Sequence, residues 1–125
     1  MLPHVRAVAE GVTDLGAPLI HFGVGTGELL KDMAEVGDAV GIDHRVPLDV
    51  AWERIGPERA IQGNLDPAVL LAPWEAVAAE ARDVLSRAAG RDGHVFNLGH
   101  GVLPQTPVEK LQRLVDLVHE ETERS

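Results

Sequence analysis

The sequence predicts an α/β fold built on a parallel sheet, and three observations carry that prediction. Short apolar runs of strand length alternate, four times over, with longer stretches whose apolar residues recur at helical spacing. Strands each followed by an amphipathic helix are joined by right-handed crossovers and therefore run parallel. The chain has 125 residues, 45% of them hydrophobic and 25% charged, and no linker or low-complexity tract divides it, which suits a single domain over residues 1–125.

Val5, Val8, Ala9 and Val12 follow Pro3 at helical spacing and predict a leading helix that Gly16-Ala17-Pro18 ends. Pro18 to Val24 is a short, mostly apolar run, as expected of a strand buried on both faces. Gly25-Thr26-Gly27 breaks it. Leu29, Leu30, Met33 and Ala34 then restore helical spacing, with Thr26 as a candidate cap and Gly37 as the stop. The second unit is a strand from Ala39 to Ile42, the polar turn Asp43-His44-Arg45, and a helix striped by Leu48, Ala51, Trp52 and Ile55 and closed by Gly56-Pro57. The third is a strand from Ala60 to Gly63, the exit loop Asn64-Leu65-Asp66-Pro67, and a helix striped by Trp74, Val77, Ala78, Ala81, Val84, Leu85 and Ala88, with Gly90 as its cap. In the fourth, His94 to Leu98 forms the strand and Gly99-His100-Gly101 the turn that displays an imidazole. Thr106 is placed as N-cap of the last helix, Pro107 as its first residue and Glu109 as the return partner of a capping box, with Leu111, Leu114, Val115 and Val118 facing inward.

Two closures are open to such a chain: a small doubly wound sheet with helices on both faces, or half of an eight-stranded βα barrel, whose usual size of about 250 residues is roughly twice this length. In the second case the concave face of the sheet has to be buried against something else.

Eleven Lys and Arg against twenty Asp and Glu leave a net charge of −9, which disfavours nucleic acid and anionic membrane surfaces as partners. With aromatics at 3%, there is almost nothing for bases to stack on. The chain has no cysteine, so it has neither disulfides nor thiolate metal ligands. No apolar run approaches spanning length, the first residues lack the features of a signal peptide, and a cytoplasmic setting is expected.

Polar residues gather at the C-terminal end of every strand: Gly23 to Gly27, Asp43-His44-Arg45, Gln62 to Asp66, and Asn97 to Gly101. Parallel sheets carry their ligand sites at that end, where helix N-termini turn their positive ends toward the opening and favour an anion. Polar residues are also what any exposed turn needs, so the pattern alone leaves both readings open. The Gly23, Gly25 and Gly27 spacing is only a loose match to a phosphate cradle.

Gly63-Asn-Leu-Asp-Pro67 within Ala60-Ile-Gln-Gly-Asn-Leu-Asp-Pro, together with Phe96-Asn-Leu-Gly-His-Gly101 followed by Pro104 and Thr106-Pro107, resembles two segments from the C-terminal part of uroporphyrinogen decarboxylase. His21-Phe-Gly23, Ala39-Val-Gly-Ile-Asp43 and Leu70-Leu-Ala-Pro73 follow the same family, so the resemblance covers nearly the whole chain. It implies a TIM barrel that removes carboxylates from the acetate side chains of uroporphyrinogen, without a cofactor, on the route to haem, in a cytoplasmic homodimer. It also implies that this chain is a C-terminal (βα)4 half barrel. The family's arginine-bearing motif, its pyrrole-holding aspartate and its site tyrosine and serine belong to other segments. Only the histidine carries over, onto His100, while His44 stands where the family usually has tryptophan.

His100 is accordingly the candidate catalytic residue, hydrogen bonding to a substrate carboxylate. Asp43, Arg45, Asn64, Asp66 and Asn97 are the accompanying candidates for substrate binding. Each has a plainer reading: Asn64 and Asp66 as Asx-type loop braces, Asp43 paired with Arg45, and Asn97 bonded to neighbouring strand groups. His21 reads as a satisfied core histidine. The chain alone is expected to be inactive, since one histidine and loop amides are a poor set for protonating a pyrrole carbon and stabilising the resulting cation. Uncovered inward residues such as Leu19, Ile42, Ile61, Val95 or their alternating neighbours predict a homodimer that closes eight strands, with a porphyrinogen as the candidate ligand. A non-catalytic, self-associating half barrel that is structural or binds porphyrin is the alternative. The related cobalamin-dependent methyltransferases use a His-x-Cys zinc pair, for which His21-Phe22-Gly23 offers no thiolate.

Overall fold

The computed structural model describes residues 2–12, 16–23, 29–30, 38–56 and 58–123. Helix α1 (Leu2–Val12) leads into strand β1 (Ile20–Phe22). Strand β2 (Ala39–Gly41), helix α2 (Leu48–Ile55) and strand β3 (Ala60–Gln62) follow. A 3-10 turn (Pro67–Leu71), helix α3 (Trp74–Ala88), strand β4 (His94–Val95) and helix α4 (Val108–Thr122) complete the described elements. The four strands form one sheet in the order β1-β2-β3-β4, every neighbouring pair parallel, as the alternation of the sequence predicts. The Gly25-Thr26-Gly27 turn and most of the expected second helix, including Met33, Ala34 and Gly37, lie outside the described residues, although Leu30 is helical and 1% exposed.

Register sorts the strand residues onto two faces. His21, Val40, Ile61 and His94 are aligned across the sheet, and Phe22, Gly41, Gln62 and Val95 form the next row on the opposite face. The first row faces the helices, and His21 in it is not satisfied as expected: its Nδ1 is buried with no hydrogen-bond partner among the described residues. Val40 and Ile61 join Leu48, Ala51, Trp52 and Ile55 of α2 and Val77, Ala81 and Val84 of α3 in one core. These are the helical stripes read from the sequence, and each fully buried aliphatic side chain contributes on the order of 1.5–3 kcal/mol. Trp52 sits at the centre, fully buried, its indole Nε1–H donating to the Arg59 carbonyl at 2.8 Å and the Arg91 guanidinium lying 4.1 Å from its ring centre.

On the other face the flanking strands are open among the described residues, with Ile20, Phe22 and Val95 43%, 44% and 47% exposed, while Ala39 and Gly41 between them are buried. Phe22 lies across Gly41, where a Cβ would stand 2.9 Å from its ring, so the small residue makes room for the aromatic one. Of the inward residues expected to be left open, Val95 is open, whereas Ile42 and Ile61 are buried on the helix side. Apolar residues occupy both sides of these strands, so composition could not assign the parity, and the alternating neighbours Ile20 and Phe22 take the open positions.

Two helix ends also differ from expectation. Helix α4 begins at Val108 with Pro107 as N-cap and no side-chain capping bond, and the Thr106 hydroxyl is buried with no hydrogen-bond partner. The Thr106–Glu109 capping box therefore does not form; Thr106 instead donates its backbone amide to Leu103, turning the chain one residue before the helix. At the end of α3 the left-handed cap is Ala89, with Gly90 following at positive φ. On α4, Leu114 and Leu117 are buried, but Val115 is 52% exposed. Val115 and Leu111 border a groove of about 280 Å³ between the helix and Phe96 and Leu98. No described helix is long and apolar enough to cross a membrane.

Candidate functional site

Three strand exits meet at the C-terminal edge of the sheet, and two glycines let them meet. Gly63 ends β3 at φ +143°, with the Ile42 carbonyl oxygen 2.9 Å from where a Cβ would lie. Gly99, buried after β4, has the His44 backbone nitrogen and the Asp43 carbonyl carbon in the space a Cβ would need. Any side chain at either position would push the loops apart. The β2 and β4 exits are thus in contact above β3, and the turns carrying Arg45 and His100 are neighbours.

Hydrogen bonds hold this contact. Leu65 donates to the Asn97 carbonyl at 3.0 Å and accepts from the Gly99 amide at 2.7 Å, extending the β3–β4 pairing beyond the strands as an isolated bridge between Leu65 and Leu98. Asn64, 6% exposed, donates through Nδ2 to the carbonyls of Asp43 at 2.9 Å and Val46. Asp43, 3% exposed, accepts the Arg45 backbone amide on Oδ1 at 3.0 Å, an Asx turn. Asp66 caps the 3-10 turn by accepting the Ala68 amide at 2.9 Å.

The sequence-selected residues therefore divide. Asp43 and Asn64 are buried in the loop framework; Arg45, Asp66, Asn97 and His100 are exposed at its surface. His100 is displayed on its turn, its Nδ1 accepting the Gly101 amide at 2.8 Å, which leaves Nε2 as the outward nitrogen. Asn97 presents its backbone to Leu65 and borders the groove beside α4.

Sequence reasoning missed His94. Its Nε2 donates to the Gly63 carbonyl at 2.8 Å, from the helix side of the sheet, with Trp52 and Phe96 ring centres 6.3 and 6.2 Å away. Burial holds its pKa below the ordinary histidine value, the bond to Gly63 opposing in part. A histidine at the start of an apolar strand was the available signal. Away from the mouth, Arg87 bridges Asp83 and Asp49 on the helix surface; hydrogen bonding to Arg87 lowers the Asp49 pKa, and the two carboxylates raise that of Arg87. Among the described residues, no group of three or more His, Cys, Asp or Glu side chains converges as a metal site.

Comparison with known proteins adds the family. The family model described as uroporphyrinogen decarboxylase (URO-D) matches residues 1–121. Uroporphyrinogen decarboxylase of Salinispora tropica is 58% identical over 123 residues, covering 98% of this chain and 33% of its own length. That of Streptomyces coelicolor is 59% identical over 125 residues, covering 99% of this chain and 35% of its own. The chain thus spans about a third of the length of these curated relatives. Among solved structures, a methyltransferase from Methanosarcina mazei superposes with a TM-score of 0.81 at 25% identity, over 97% of this chain and 35% of that one. The match gives the sheet and helices a TIM-barrel-like arrangement, and with the family model spanning nearly all of its length, the chain belongs to the uroporphyrinogen decarboxylase family.

Proposed function

We propose that this chain is the C-terminal (βα)4 half of a decarboxylase barrel and that it supplies one side of the mouth in which the acetate side chains of uroporphyrinogen lose their carboxylates. The observation that carries the reading is the placement of His100 at the C-terminal edge of the sheet, on a turn braced against the one that carries Arg45. Both side chains are exposed at that edge. Arg45 offers a fixed positive charge and His100 a group that donates to a carboxylate or moves a proton. Decarboxylation without a cofactor also requires protonation of a pyrrole carbon and stabilisation of a cationic ring, which these two side chains do not supply together. The chain by itself is therefore inactive in this reading, in a cytoplasmic setting.

The uncovered face supports a second element of the proposal. Ile20, Phe22 and Val95 line the open side of a sheet whose first and last strands, among the described residues, each pair with one neighbour. A second copy, pairing its first strand with the last strand of the other about a twofold axis, covers both faces and brings two copies of His100 to one mouth. Such a dimer can bind porphyrin without turning it over, which is the non-catalytic alternative.

The test is decarboxylation of uroporphyrinogen by the purified chain, alone and mixed with the remaining N-terminal part of a family barrel, with mass by light scattering in parallel. No turnover alone, turnover in the mixture that His100→Ala removes, and a dimeric mass alone are expected. Turnover by the chain alone, lost in His100→Ala, overturns the inactive reading; a monomer at micromolar concentration overturns the dimer.

A further inference from the structure

We propose that Asn64 is the positioning residue of this mouth: its side-chain amide clamps the turn from Asp43 to Val46 and so sets where Arg45 and His100 stand relative to each other. The inference deepens the proposed role of His100 and Arg45, and its test does not depend on turnover.

The carbonyls that Asn64 holds belong to the two residues that bracket His44-Arg45, so a single Nδ2 group closes the turn from inside. A primary amide at this position brings two protons on one neutral nitrogen to two acceptors. An aspartate of the same shape would set carboxylate oxygens against both carbonyls, and with Asn64 6% exposed, water has little access to relieve them.

While its side chain grips the β2 exit, the backbone immediately after it grips the β4 exit. Leu65 exchanges hydrogen bonds with Asn97 and Gly99, the latter being the residue before His100. Gly99 in turn abuts the His44 nitrogen and the Asp43 carbonyl carbon with no space for a Cβ. The β2 and β4 exits are therefore fixed to one point from two sides, and a displaced Asp43–Val46 turn has to displace Gly99 with it. Asp66 on the same loop provides the contrast. Its carboxylate braces only Ala68, further along its own segment.

The experiment follows the imidazole resonances of His44 and His100 and the Gly99 amide by NMR in the full chain at one fixed pH. Asn64→Asp is expected to shift all three beyond their linewidths, with the amide signals of α3 in place. Asp66→Ala is expected to move neither histidine. A folded Asn64→Asp chain with unmoved His44, His100 and Gly99 signals overturns the proposal, as does an equal effect from Asp66→Ala. Should Asn64→Asp fail to fold, the unsubstituted chain decides: couplings across the hydrogen bonds from Asn64 Nδ2 to the Asp43 and Val46 carbonyl carbons are expected. Side-chain amide protons of Asn64 that exchange as fast as those of exposed Asn97 overturn the clamp.

Discussion

The two faces of the sheet are built by alternate residues of the same four strands, yet one is finished and the other is not. On the helix side Val40 and Ile61 are 1% and 0% exposed, packed under α2 and α3. On the opposite side Ile20, Phe22 and Val95 stay between 43% and 47% exposed. Propensity cannot account for the difference, because all five side chains are β-formers. What differs is the partner layer: the helices that follow β2, β3 and β4 pack over one face, as right-handed crossovers in a sheet of strand order β1-β2-β3-β4 require. A side chain's contribution to stability is therefore set here by which way its strand position points, and the same residue type should behave differently one position apart.

The strongest test removes the centre of the covered face. Trp52→Ala deletes a fully buried indole, its hydrogen bond to Arg59 and the surface on which Arg91 stacks. A loss of about 3–5 kcal/mol is expected, read by urea unfolding at constant m-value. A loss under about 1 kcal/mol, the scale of an ordinary point mutation, would mean that α2 does not pack on the sheet as described.

A subtler comparison makes one substitution on both faces. Valine and threonine are close in shape and both favour strands, so exchanging them isolates the cost of placing a hydroxyl. Val40→Thr buries that hydroxyl in the core and is expected to cost about 1–3 kcal/mol. At Val95, 47% exposed, the same change is expected to stay within about 0.5 kcal/mol. Equal costs at the two sites would show that the open face is covered in solution, and a Val95 effect that grows with protein concentration would identify a second copy as the cover.

How much of this was legible beforehand follows the same division. The strand cores Ile20–Phe22, Ala39–Gly41, Ala60–Gln62 and His94–Val95 lie inside the predicted runs, and the stripe Leu48, Ala51, Trp52, Ile55 is buried as read. Helical spacing is visible because one side of each helix is polar. Strand parity was not, because β1 and β2 carry apolar residues at consecutive positions, Leu19-Ile20 and Ala39-Val40, and nothing in composition marks the side on which helices return. The exit loops were located by their polar residues, but their internal bonding was not. That Asn64 spends its amide on Asp43 and Val46, or that Gly99 is small to admit His44, depends on loops brought together from distant parts of the sequence. Thr106 failed as a cap for a local reason: with Pro107 extended and serving as N-cap, the helix starts too late for the Thr106 hydroxyl to reach its amides.

His94 and Val95 are consecutive and point to opposite faces, which gives the smallest effect its sharpest form. His94 donates to Gly63 beside Trp52 and Phe96, and burial keeps its pKa below the value of about 6.5 that it regains on unfolding. Between those two values the unfolded chain binds more protons than the folded one, so stability increases with pH there. The contribution of neutral His94 is complete above about pH 6.5 and is lost as the pH falls through that value toward the lowered one. Protonation would also place a second cation near Arg91, which already stacks on Trp52. Unfolding free energy measured from pH 8 down to about pH 5.5, above the ordinary carboxylate range, should fall more steeply for the unsubstituted chain than for His94→Gln, which keeps a donor for Gly63 without a titrating ring. Parallel pH profiles for the two chains would place His94 in water in the folded state, and with it the edge of the core that separates the covered face from the open one.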